Sequence, residues 1–145
     1  MKTFKGLLKE LPDNGVYVFF SNIHSKYDRG PAKIAKELFG AREDRPPFTS
    51  HGRTFAICVE FNDPAKDMKF LYAQIDTFYR IVRRDSDKVF YVMCHDKFNF
   101  HNYTIEDMIK AFKSQLIPNN IVWEESFHDV MQGKPIKPKI INDEI

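Results

Sequence analysis

The sequence is short of the residues that announce a disulfide framework, a metal site or a membrane segment. Two of its 145 residues are cysteine, Cys58 and Cys94, and both fall inside stretches that read as strands. Two such thiols in a reducing compartment read as core filler rather than as a disulfide. There is no C-x-x-C and no histidine pair at zinc spacing, so neither a structural metal nor a metal cofactor is expected. Charge of one sign is missing too. The 22 Lys and Arg against 20 Asp and Glu leave a net charge of +2, too small to argue for nucleic acid, though it leaves room for a local basic patch. No apolar run approaches the ~20 residues of a membrane span. The opening MKTFKGLLKELPDNG carries no apolar signal-peptide core, so a cytoplasmic protein without membrane contact is expected. Neither a G-x-x-x-x-G-K-[ST] loop nor a G-x-G-x-x-G turn occurs, which argues against a standard NTPase or dinucleotide oxidoreductase.

What is present is aromatic and regularly patterned. Fourteen phenylalanines supply much of the material for a core. The central stretch is VYVFFSNIHSKYDRGPAKIAKELFGA, residues 16–41. Val16 to Phe20 read as a strand buried on both faces, rich in β-branched and aromatic residues. A polar loop follows, and Gly30-Pro31 opens a helix near 31–39 that Gly40 stops. Residues 2–11 read either as a short helix or as an edge strand, and Pro12-Asp13-Asn14-Gly15 is a turn. Residues 42–53, with Pro46-Pro47, read as a loop. Thr54 to Glu60 form a second strand. Residues 66–84 give the clearest helix, since Met68, Leu71, Ile75, Phe78 and Val82 recur at steps of three and four.

Lys88 to Cys94 form a third strand. Thr104 and Asp107 make a capping box for a helix with the stripe Ile105, Met108, Ile109, Phe112 and Leu116. Ile121 to Trp123 are a fourth strand, and Glu124 to Met131 a last helix. The alternation of strands and helices predicts an α/β fold, a three-layer α/β/α sandwich with a mostly parallel central sheet. One domain is expected over 1–132, followed by an extended tail over 133–145.

Two polar, aromatic loops, 21–30 and 95–103, each follow a buried strand and precede a helix. If those strands are neighbours, the loops face one crevice, a geometry suited to a ligand with a phosphate, a ribose and a base. Asn22 is placed to hydrogen-bond a ribose hydroxyl or to satisfy local backbone. Tyr27 or Phe98 can stack on a ring. Asp28 and Arg29 stand just ahead of the helix start, where Asp28 orients a water or an amine, or simply caps the helix. His24, His95 and His101 are candidate acids or bases. Cys94-His95-Asp96 resembles a nucleophile set in one dimension only, because neighbours on a strand point to opposite faces.

These pieces, in order, resemble a macro-domain-like group of bacteria and tailed phages. The resemblance rests on Ser21-Asn22, Gly30 with Ala32 and Ala35, Phe39-Gly40-Ala41, Gly52-Arg53-Thr54-Phe55-Ala56-Ile57 and Pro118-Asn119-Asn120, and spans residues 15–130. It implies a macro-like fold that binds ADP-ribose or a related nucleotide, with hydrolysis of ADP-ribose from a carrier as the activity of some members. By position, Ser21 and Asn22 fall in the first strand's signature, with Asn22 on the distal ribose. Tyr27, Asp28, Arg29 and Gly30 fall in the first ligand loop, and His95, Lys97, Phe98 and Asn99 in the second. Both loops depart from the pattern. The first keeps Gly30 alone and the second keeps no glycine, and glycines there let backbone approach a diphosphate.

The expectation is therefore a binder of an ADP-ribose-like or NAD-derived nucleotide, plausible in a phage acting on host defence. Whether it is an enzyme stays open. The alternative is a catalytically inactive scaffold reused to hold a host protein or a second copy of itself.

Overall fold

The computed structural model describes residues 2–22, 30–43, 50–51, 53–60, 67–95 and 103–135. In chain order these form β1 (Thr3–Phe4), β2 (Gly15–Asn22), α1 (Gly30–Leu38), β3 (Ser50–His51), β4 (Thr54–Glu60), α2 (Met68–Arg84), β5 (Val89–Val92), α3 (Ile105–Phe112), β6 (Ile121–Glu124) and α4 (Glu125–Met131). The strands make one sheet in the order β1-β6-β5-β2-β4-β3. Five of them are parallel, and β3 runs antiparallel to β4 at one edge. The architecture is α/β, consistent with a three-layer sandwich.

Strand period two sorts the core into two layers. Along β2, Val16, Val18 and Phe20 point to one face, where they meet Leu71, Ile75, Phe78 and Val82 of α2, Phe112 of α3 and Phe127 of α4. Tyr17 and Phe19 point to the other, against Ala35 and Phe39 of the α1 segment. Beside α1, that second layer is completed by the N-terminal segment through Leu7, Leu8 and Leu11. The aromatic content is concentrated on the first face, where the rings of Phe112 and Trp123 meet edge to face with centroids 4.9 Å apart.

The helices begin where the sequence places them. Asp67 accepts from the Phe70 N–H at 3.2 Å and caps α2. At α3 the capping box closes, with Thr104 Oγ1 accepting from Asp107 N–H at 3.1 Å and Asp107 Oδ2 accepting from Thr104 N–H at 2.9 Å. Several boundaries are settled or moved relative to the sequence reading, and β2 runs on through Ser21 and Asn22, expected in the loop, because both still pair with β4. Of the two readings for residues 2–11, the edge strand forms, as β1 on β6. Ser50 and His51, expected in a loop, pair with Phe55 and Thr54 across a two-residue connection, because a tight hairpin needs little beyond a permissive turn. The third strand is shorter than 88–94, since the Cys94 N–H turns back to Val92 O at 3.0 Å. Leu116 is not in the α3 stripe. The helix ends at Phe112, which takes Leu116 out of helical phase, and it is 86% exposed.

Two pieces of the resemblance serve the amino edge of the sheet. The Arg53 guanidinium donates to the carbonyls of Pro12, Leu11 and Gly15, and lies over the Phe39 ring at 5.9 Å. It thereby clips the turn before β2 to the start of β4. The Asn120 amide donates to Val82 O at 2.9 Å and Lys88 O at 3.0 Å, joining the end of α2 to the starts of β5 and β6.

Tyr17 lies fully buried and stacked on Phe39, and its hydroxyl finds no hydrogen-bond partner among the described residues. Tyr17→Phe keeps the shape and removes the unpaired group, so stability should stay level or rise by about 1 kcal/mol in urea unfolding. Burial pushes the Tyr17 and Tyr79 phenols above their ordinary value, against a smaller opposing effect of Arg83 on Tyr79. The folded protein then keeps protons that the unfolded chain releases near about pH 10. The stability this represents is full below that pH and is lost as pH climbs beyond it. Tyr17→Phe should flatten that alkaline decline, while a decline identical to wild type counts against it.

Candidate functional site

The candidate site lies where chain direction reverses. From β2 the chain leaves through α1 to β4 on one side, whereas from β5 it leaves through α3 to β6 on the other. Yet β2 and β5 are direct parallel neighbours, paired from Gly15↔Val89 to Val18↔Val92. Diverging crossovers leave a crevice beyond the carboxyl ends of such a pair, the usual place for a ligand in an open α/β sheet. The condition on which the two-loop reading depended, that these strands adjoin, is therefore met.

Around that edge the candidates fall as follows. Ser21 is buried and pairs with Cys58 of β4. Asn22 is the last residue of β2 and pairs with Glu60, after a register shift that leaves one residue of β4, Val59, without a counterpart. Gly30 opens α1 with φ +63°, a left-handed turn that L side chains adopt rarely. Its helix has no acidic residue in the first turn and Lys33 within it, so the free N–H groups face no built-in anion from that turn. His95 is half-buried, just beyond β5. The other six candidates, Tyr27, Asp28, Arg29, Lys97, Phe98 and Asn99, lie outside the described residues, as do His24 and His101.

Two side chains next to the crevice, Phe20 and Cys94, belong to the core. Phe20 packs into the α2–α3 layer, edge-on to Phe112 at 6.4 Å. Cys58 is buried on β4, and Cys94 is fully buried in that same α2–α3 layer, with neither in a disulfide. Its neighbour Met93 belongs to the opposite layer, which is the alternation that separates consecutive strand residues. The described part of the edge thus offers strand ends and the N–H groups that open α1. Among the described residues no group of three or more His, Cys, Asp or Glu is placed to hold a metal ion. No described helix is long and apolar enough to cross a membrane.

Sequence reasoning passed over three residues near the same edge. Glu124 is a buried carboxylate at the end of β6, 5% exposed. Its oxygens accept from the N–H groups of Gly6 at 3.2 Å and Ser126 at 2.7 Å, and from the Ser126 hydroxyl. Glutamate is an uncommon cap, so nothing local marks it. Tyr103 donates to Asp67 O at 2.8 Å and links the starts of α2 and α3. Burial first, then the Asp67 charge, raises its phenol above the ordinary value, so it stays a donor. Gln74, half-buried on α2, accepts from the Cys58 N–H at 3.3 Å. No family model, curated protein or solved structure matches the chain.

Proposed function

We propose that this protein binds an ADP-ribose-like or NAD-derived nucleotide at the carboxyl edge of β2 and β5. The observation that carries the reading is the adjacency of those two parallel strands with crossovers leaving in opposite directions. The start of α1, left-handed at Gly30 and free of acidic side chains in its first turn, suits the diphosphate of such a ligand. Asn22, at the tip of β2, is the residue assigned to the ribose. The macro-like identity comes from the resemblance, as does a role in sequestering a signal of host defence. Hydrolysis is not part of the proposal.

Calorimetry tests it. Wild type should release or absorb measurable heat with ADP-ribose, NAD or a cyclic relative. Asn22→Ala should weaken that binding about tenfold, equivalent to one good hydrogen bond, with little change in melting temperature. Wild type that shows no heat with any of the three sinks the reading. The alternative, an interaction module on an inactive scaffold, is favoured by a different observation, the exposed side chain of Leu116, whose carbonyl accepts from the Arg83 guanidinium at 2.6 Å.

A further inference from the structure

We propose that the sheet face opposite α2, where β5 passes beneath the N-terminal segment, is a docking surface for an acidic amphipathic helix of a partner protein. The two faces of the sheet are covered unequally. Among the described residues α2, α3 and α4 pack on one face, and α1 is the one helix on the other. Beside α1 that second face carries residues 5–14, an irregular chain rather than a helix. The difference shows along β5, an interior strand. Phe90 and Val92, on the first face, are fully buried, whereas Val89 and Tyr91, on the second, are half-buried. On β2, beneath α1, the second-face residues Tyr17 and Phe19 are fully buried. A parallel sheet ordinarily has helices over both faces. Strands lie about 4.8 Å apart, so a trio such as β5, β6 and β1 leaves a width that one helix, about 10 Å across, fills.

The chemistry of this face selects the occupant. Its surface is apolar, because Phe4, Leu7, Leu8 and Leu11 are half-buried in the same cluster as Tyr91, with Ile34 of α1 alongside. The patch is continuous. The Phe4 and Tyr91 rings stand 6.1 Å apart, and Leu11 and the Tyr91 ring lie 3.0 and 3.3 Å from where a Cβ on Gly15 would be. Its border is basic. Residues 2–11 and α1 carry Lys2, Lys5, Lys9, Lys33 and Lys36 against Glu10 and Glu37. Lys5, Lys33 and Lys36 have carboxylate partners, whereas Lys2 and Lys9 are exposed with no ion pair among the described residues. A helix with an apolar stripe and glutamates on its flanks answers both features. A second copy does not, since an isologous contact sets these lysines against one another. α1 stands on one side of the patch, which makes it a trough for a helix rather than a plane for a bilayer.

The test titrates the full chain with a synthetic helix of about 14 residues, four turns, with a leucine stripe and glutamates elsewhere. Its control carries lysine for every glutamate. The glutamate peptide should bind by fluorescence anisotropy and move the Leu7, Leu8, Leu11 and Tyr91 amide resonances, while the lysine peptide should not bind. Lys2→Glu with Lys9→Glu, both at exposed positions, should weaken the glutamate peptide about tenfold at unchanged melting temperature. Absence of binding, equal affinity for the two peptides, full affinity in the charge-reversed variant or shifts confined to other residues overturns the proposal. Three further results assign the face to a different occupant and overturn it equally. One is a dimer in sedimentation whose dissociation on dilution moves the same four resonances. Another is the same shifts on phosphatidylserine vesicles without peptide. The last is broadening of Leu8 and Tyr91 by a spin label on Ile140→Cys, which gives the face to residues 136–145.

Discussion

Phe112→Ala should lower the unfolding free energy by about 3–5 kcal/mol, a loss of roughly 8–18 °C in melting temperature for a chain of this size. Phe112 is fully buried at the end of α3. Its ring meets Trp123 at 4.9 Å, Phe127 at 5.9 Å, and Phe20 and Tyr79 at 6.4 Å, so four elements converge on one side chain. Its carbonyl accepts the Tyr79 hydroxyl at 2.5 Å, which keeps that buried phenol satisfied. Truncation leaves a cavity bounded by rigid rings that cannot all collapse into it. Phe112→Leu retains most of the volume and should cost about 1.5 kcal/mol. Urea unfolding at unchanged m-value distinguishes the two. A loss below 1 kcal/mol for the alanine variant, by the same cavity reasoning, would show that the layer repacks and that Phe112 is not its hub. Because Phe20 stands two residues before Asn22, Phe112→Ala should also loosen the ligand edge.

Glu124→Ala should remove about 2–4 kcal/mol, combining a lost helix cap with donors left unpaired in a buried place. The carboxylate serves two segments far apart in sequence. One oxygen takes the first N–H groups of α4, Ser126 and Phe127, and the other takes Gly6 from the N-terminal segment. Removing it frees the start of α4 and the anchor of residues 5–11 together. Amide hydrogen exchange should therefore accelerate at Gly6 and at Ser126–Phe127 in the same variant. Glu124→Gln keeps acceptor capacity but turns an NH2 group toward one set of donors, and it should fall between alanine and wild type. Exchange that accelerates at α4 alone would separate the two roles and contradict the shared anchor.

Much of the architecture was legible before any coordinates. The step pattern of Leu71, Ile75, Phe78 and Val82 marks a buried helix face, and that face is buried. The T-x-x-D box at Thr104 closes as read, because capping is decided by four consecutive residues. Leu116 shows the limit of the same logic. Its spacing fits the α3 stripe, but spacing does not say where a helix stops. Lys113 ends it, and the Ser114 hydroxyl donates to Ala111 O at 2.7 Å in the turn that follows. Arg53 and Asn120 teach a second limit. Both look like signature residues, and both prove to be clips at the amino edge, away from the carboxyl ends of β2 and β5.

Sequence alone determined the main strands and helices and that the sheet is mostly parallel, because periodicity, caps and the short spacing between elements are local properties. It also identified the loop after β2 as the place to look. Tertiary structure alone decided that β2 and β5 adjoin, that β3 folds back on β4, and that the register slips at Asn22. It alone brought Glu124 to Gly6 and Gln74 to Cys58. Those pairings join residues distant along the chain, and no local propensity encodes them. They follow from burying both faces of one sheet at once, which leaves each strand and each buried donor a small choice of partners.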